Sequence, residues 1–110
     1  MGKFVITKRV NGEFQFNLKA GNGETILSSE GYSTKSNCQN GIESVKRNAS
    51  DEDKYDRKTA SNGKFYFTLE AVNGQTIGVS ELYENETGCK NGILSVKTQA
   101  PDAIIQDATI

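Results

Sequence analysis

The sequence predicts an α+β fold: two tandem β-β-β-α-β units that share one mostly antiparallel sheet and carry two helices on one face. Three observations predict it. The first is a duplication, because residues 10–51 align with residues 61–102 without a gap at an offset of 51, and 22 of the 42 paired positions are identical. The second is a change of period inside each copy, from strict apolar–polar alternation to a stripe that recurs every three or four residues. The third is size. A unit of about fifty residues is too small to bury both its helix and its sheet, whereas two units side by side can.

The elements follow in order. Lys3-Phe4-Val5-Ile6-Thr7-Lys8 is β-branched and aromatic and reads as a strand. Asn11-Gly12 follows, a dipeptide that accepts the positive φ values of a type I′ hairpin turn. Phe14, Phe16, Leu18 and Ala20 then alternate with Glu13, Gln15, Asn17 and Lys19, the period of a half-buried strand. Asn22-Gly23 marks a second tight turn, and Thr25-Ile26-Leu27-Ser28 the third strand of a meander. From Thr34, a competent N-cap, the period lengthens. Cys38, Ile42, Val45 and Ala49 fall on one stripe of an amphipathic helix.

The second copy repeats the pattern. Phe65, Phe67, Leu69 and Ala71 share one face, Asn73-Gly74 is the turn, Thr76-Ile77-Gly78-Val79 the strand, Asn85 the cap and Pro101 the stop. Each helix contains Asn-Gly, at Asn40-Gly41 and Asn91-Gly92, and glycine there costs about 1 kcal/mol against alanine. Close approach of the helix backbone to the sheet beside Cys38 or Cys89 would offset that cost. After the helices, Lys54–Thr59 and Ile104–Thr109 read as matching returning strands, with Asp51-Glu52-Asp53 as a short acidic connector. The face of the sheet away from the helices would show Glu13, Gln15, Asn17 and Lys19, and their partners Lys64, Tyr66, Thr68 and Glu70, to solvent. Residues 1–110 thus make a single domain of two repeats, about 1–51 and 52–110.

Paired signatures carry a resemblance over essentially the whole chain. They are Asn11 to Gly23 (Asn-Gly, then Phe-x-Phe-x-Leu-x-Ala-x-Asn-Gly), Ser29 to Tyr32 (Ser-Glu-x-Tyr) and Asn40 to Lys46 (Asn-Gly-Ile-x-Ser-Val-Lys). All recur, at Asn62 to Gly74, Ser80 to Tyr83 and Asn91 to Lys97. On these residues the chain resembles the YegP-like family, small bacterial proteins of unknown function. The resemblance implies tandem three-strand–helix–strand units in one sheet, with the returning strands exchanged between units. It implies no activity. Cys38 and Cys89 stand where family members often carry a small residue such as alanine, which favours a packing role.

Composition narrows the chemistry. Thirteen Lys and Arg against 14 Asp and Glu leave a net charge of -1, so no electrostatic grip on nucleic acid or anionic lipid is indicated. After Met1-Gly2-Lys3 the apolar run is only Phe4-Val5-Ile6, too short for a leader, and Ile6 stands where a myristoylation signal wants Ser or Thr. No segment reaches spanning length, and a cytoplasmic location is expected. With no histidine, two lone thiols and no calcium-loop spacing, neither a metal, a cofactor nor a Ser–His or Cys–His nucleophile is expected. The matched cysteines read as buried thiols rather than as a disulfide.

The expected function is that of a non-enzymatic binding protein, with an unknown protein or small-molecule partner. Its candidate surface is the repeated polar set Asn40, Ser44 and Lys46 with Asn91, Ser95 and Lys97, together with Tyr66. The plainer reading of the helix residues is that they line the solvated side of each helix. One alternative is weak nucleic-acid binding, since Gly63-Lys64-Phe65-Tyr66-Phe67 resembles the aromatic strand of RNA-recognition domains, although Phe65 and Phe67 share phase with the core. Another is an enzyme that uses the matched carboxylates Glu30 and Glu81. A monomer with an internal pseudo-twofold is expected, because the duplication already places both halves in one chain.

Overall fold

Each copy opens as a meander. β1 (Lys3–Lys8), β2 (Phe14–Lys19) and β3 (Thr25–Ser28) pair antiparallel in sequence, and helix α1 (Lys35–Asn48) follows. A 3-10 turn at Glu52–Lys54, capped by Asp51, leads into β4 (Tyr55–Thr59), β5 (Phe65–Glu70), β6 (Thr76–Val79), α2 (Glu86–Gln99) and β7 (Ile104–Asp107). The structure, a computed structural model, describes residues 2–110. Met1, where the expectation of no leader begins, lies outside the described residues.

The strands of the described residues join one seven-stranded sheet in the order β4-β5-β6-β3-β2-β1-β7. Its centre is the join of the two units, where Ser28 of β3 faces Val79 of β6. These residues are 51 apart and so are counterparts, which puts a pseudo-twofold axis between them.

The strand after each helix crosses to the other unit: β4 follows α1 and pairs with β5, and β7 follows α2 and pairs with β1. The exchange holds, but the two strands are not matched. β4 takes the place in the second unit that β1 holds in the first, since Tyr55↔Leu69 repeats Phe4↔Leu18. The same rotation would send β7 into the place of β1, which is filled. β7 therefore lies outside β1, runs the same way, and makes the one parallel pairing among the described residues.

The four Asn-Gly turns are built alike, and they are not type I′. In each turn only the glycine has positive φ: Gly12, Gly23, Gly63 and Gly74 lie at 84° to 89°. Gly12 N–H donates to the Arg9 carbonyl at 2.9 Å and Arg9 N–H to the Glu13 carbonyl at 2.7 Å, a type I turn closed by a glycine bulge. Asn11 contributes through its side chain, whose Oδ1 accepts from Glu13 N–H at 3.0 Å, and Asn22, Asn62 and Asn73 do the same.

The helices start where the caps predict. Thr34 Oγ1 accepts from Asn37 N–H at 3.0 Å, and Asn85 Oδ1 from Gly88 N–H at 2.8 Å. Cys38, Ile42, Val45 and Ala49 are fully buried against Phe4, Ile6, Phe16 and Leu18, in one cluster that also takes in Phe67, Leu69 and Val96. Each helix reaches across the join: α1 packs on β2, β5 and β6, and α2 on β5 and β3.

The helix glycines answer to a tyrosine, not to the cysteines. Tyr32 exchanges two 2.7 Å backbone hydrogen bonds with Phe14, and its ring stacks on Phe16 at 6.3 Å. A Cβ on Gly41 would lie 2.8 Å from Tyr32 Cζ and 3.1 Å from Phe16 Cε2. At Gly92 the intruding atom is Tyr83 Cζ, at 2.6 Å.

A similar fit occurs beside the axis. Leu27 and Gly78 are counterparts, and a Cβ on Gly78 would meet Leu27 Cγ and Cδ2 at 2.6 Å. Leu27 fills the space that the missing side chain leaves. Replacing Leu27→Gly should therefore open a cavity and cost about 3 kcal/mol or more, and Gly78→Leu should overpack the join by about 1–3 kcal/mol. The double exchange should recover at least half of the summed loss in urea titrations, because the axis makes the two sites interchangeable. Strict additivity would show that the two positions do not share this space.

Candidate functional site

The alternation that turns Phe67 and Leu69 to the helices turns Tyr66, Thr68 and Glu70 to the opposite face. Tyr66 is half-buried and faces Lys58 across the β4–β5 ladder. Thr68 was expected in solvent; it is buried, at 6% exposure, between Asp56 of β4 and Val79 of β6. Strands on both sides close over a short side chain that a longer one in the same row would clear. Among the described residues its Oγ1 has no hydrogen-bond partner. In the first unit Gln15, Asn17 and Lys19 on this face are half-buried.

The repeated helix residues separate into two groups. Asn40 and Asn91 are exposed, while Ser44 and Ser95 are half-buried, and Asn48 Nδ2 donates to the Ser44 carbonyl at 2.7 Å. Lys46 and Lys97 are engaged. Lys46 Nζ donates to the Ala103 carbonyl at 2.9 Å and sits 5.9 Å from the centre of the Phe4 ring. Lys97 Nζ pairs with the Glu52 carboxylate. Ala103 and Glu52 are themselves counterparts, each in the connection that leaves the other helix. The two lysines are equivalent clamps on the exchanged connections, a role that single-sequence reasoning could not assign without knowing the crossing.

Glu30 and Glu81 are exposed, and each follows a serine that serves the sheet. Ser29 Oγ accepts from Phe16 N–H at 2.9 Å and donates to the Glu30 carbonyl at 2.8 Å; Ser80 repeats this with Phe67 and Glu81. Glu81 lines a shallow groove with Glu24, Thr25 and Leu82, and Glu30 is not part of it. The thiols are free and buried. Burial pushes Cys38 up to about 11, with the Asp107 carboxylate adding to the shift. Burial also raises Cys89, against the opposing charge of Arg57. Among the described residues no group of three or more His, Cys, Asp or Glu could hold a metal ion, and no helix is long and apolar enough to cross a membrane.

The feature that sequence reasoning missed is at the β4 edge. A groove of about 190 Å³, lined by Arg57, Lys58, Thr59, Phe65, Glu86 and Cys89, lies between the unpaired side of β4 and the start of α2. Its counterpart in the first unit is filled. There Asp107 of β7 pairs with Lys35 Nζ at 2.7 Å, beside Phe14 and Cys38. A signal was present in the sequence: Lys35 and Glu86 are counterparts of opposite charge.

Duplicated meander, capped helix, tyrosine–glycine contact and crossed strands define a tandem-repeat α+β sheet protein. The family model described as a domain of unknown function (DUF1508) matches residues 10–56 and again residues 60–107, and the chain belongs to that family. It is 52% identical over 102 residues to the UPF0339 protein in the ptx operon 5′ region of Stutzerimonas stutzeri, covering 93% of this chain and 92% of that one. It is 47% identical over 108 residues to the UPF0339 protein YegP of Escherichia coli strain K12, covering 98% of each. The solution NMR structure of yegP from E. coli, described as a protein of unknown function, superposes with a TM-score of 0.93 over 98% of this chain and 93% of that one. The resemblance read from the paired signatures is thereby borne out.

Hydrogen bonds from Lys35 and Thr109 hold the Asp107 carboxyl down at about 2, below its usual 3.8. A carboxyl depressed in the folded state stabilises above its unfolded value and loses that contribution as pH falls. The stability difference between the parent and Asp107→Asn should therefore be full above about pH 4 and vanish as the pH passes through about 2. Thermal melts across that range check it, and a difference independent of pH would remove the ion pair from the account.

Proposed function

We propose that the protein is a cytoplasmic, monomeric, non-enzymatic binding module that engages another protein through its sheet. The carrying observation is the sheet face opposite the helices, which stays uncovered across both repeats. On it Tyr66, Val5 and Val79, the last 40% exposed, stand among Gln15, Asn17 and Lys19. Such a mixed apolar and polar surface, with few charges at its centre, has the composition of a protein interface rather than of a phosphate-binding one. The non-enzymatic reading is supported by where the shifted titratable groups sit. Tyr32, Tyr55 and Tyr83 are raised by burial in the core, Cys38 and Cys89 likewise, and Glu52 and Asp107 are lowered by the lysines they pair with. Each shift belongs to packing or to a clamp, and of these groups Cys89 alone lines the groove beside β4.

A second reading follows from one contact. Tyr66 has Lys58 as its cross-strand neighbour, a stacking ring beside a cation, which is the minimum that a single-stranded nucleic acid needs. That mode would weaken steeply with salt, whereas a protein interface of this composition would not.

A photo-crosslinking residue placed at Val79 should yield a discrete protein adduct in cells of the protein's own source, and the same residue in the exposed turn at Val72 should not. Equal labelling from both positions, or none from Val79, would overturn the reading of the face.

A further inference from the structure

We propose that the outer edge of β4 is a docking site for an extended segment of a partner protein, bound parallel to β4. The segment would carry lysine or arginine where β7 carries Asp107. The proposal rests on the reading of the protein as a binding module and narrows it to one edge.

The molecule contains its own precedent. The pseudo-twofold makes β4 the counterpart of β1, and the outer edge of β1 is taken by an extended segment, Ile104-Ile105-Gln106-Asp107, running parallel. That segment is held by the ladder, by the 2.9 Å bond from Ala108 N–H to the Ile6 carbonyl, and by Asp107 on Lys35. β4 ends the strand order, with no strand on its outer side among the described residues. The lining of the groove beside it includes, with Lys58 and Thr59 of β4, the counterparts of the groups around Asp107: Arg57 for Ile6, Phe65 for Phe14, Glu86 for Lys35 and Cys89 for Cys38. It is the Asp107 site without an Asp107.

Charge then selects the occupant. In the filled site the floor offers Lys35 and takes a carboxylate. In the open one it offers Glu86, which makes no salt bridge among the described residues, while the two cations of the lining are engaged, Arg57 by Glu52 at 3.6 Å and Lys58 by Asp56 at 3.4 Å. A cation is the complement of the unpaired carboxylate. The same charges reject a second copy of this chain. Its β7 would bring Asp107 against Glu86, and antiparallel β4–β4 pairing centred on Arg57 would set two guanidinium groups opposite each other. Charged residues commonly guard an edge strand in this way, yet they do not fill the groove next to it. A foreign strand that adds its backbone to the ladder and one basic side chain to the groove satisfies both.

Two peptides copying residues 103–110 test this, one unaltered and one with Asp107→Lys, each titrated into the isotopically labelled full chain while amide shifts are followed. The lysine peptide should move the amides of β4 and the first turn of α2, and bind about threefold to tenfold more tightly than the aspartate peptide. Glu86→Lys should reverse the order, and the milder Glu86→Gln, which leaves the cap at Asn85 intact, should abolish the preference. No shift at β4, equal affinity for the two peptides, or shifts confined to β1 and β7 would overturn the proposal. Failure here with a surviving adduct at Val79 would condemn the edge and leave the sheet face as the binding surface.

Discussion

A tyrosine ring lies between each helix and the sheet, and everything above the sheet takes its position from it. Tyr32 cannot move away, because its backbone is bonded in both directions to Phe14, and it cannot tilt, because its ring is stacked on Phe16. The helix must therefore come down onto a fixed plate. Only a residue without a side chain lets it come close enough for Cys38, Ile42 and Val45 to reach the core, and Gly41 is that residue. Tyr83, Phe67 and Gly92 repeat the arrangement with a 6.4 Å stack. The propensity lost by glycine in mid-helix is offset by the burial of a whole helix face.

With the helices fixed, the chain leaving each one has to cross the join, and the lysines of the helix it passes hold it there. Lys46 takes the connection from α2 and Lys97 the connection from α1. The first connection delivers β4 to a vacant place and the second delivers β7 to an occupied one. The sheet is thus finished differently at its two ends: at one end β7 lies outside β1, and at the other β4 has no strand beyond it among the described residues and is flanked by a groove. The candidate site is a by-product of a seventh strand in a structure with symmetric room for six.

Much of this could be read from the chain. Alternation at Phe14–Ala20 and the stripe at Cys38–Ala49 located the strands and helices, since both are local consequences of burying one face. Thr34 and Asn85 marked the helix starts for an equally local reason. The turn type was not legible, because Asn-Gly serves a type I′ turn as well as a type I turn with a glycine bulge, and only the φ of the asparagine separates them. Thr68 looked like any outward strand residue; its burial depends on Asp56 and Val79, which come from other strands. The identity of the edge that carries the groove was least legible of all. It follows from which strand arrives second at one place, and that is a property of the assembled sheet rather than of any window of sequence.

The contact between Leu27 and Gly78 carries a statement about descent. A homodimer of a single repeat must set identical residues on the two sides of its axis. Two leucines at that position would collide, and two glycines would leave a void. Once both halves are encoded in one gene, the two sides mutate independently, and a large residue on one can be matched by the loss of a side chain on the other. Leu27 seated over Gly78 is a fit that only a fused pair can inherit, so it must date from after the duplication, not before it.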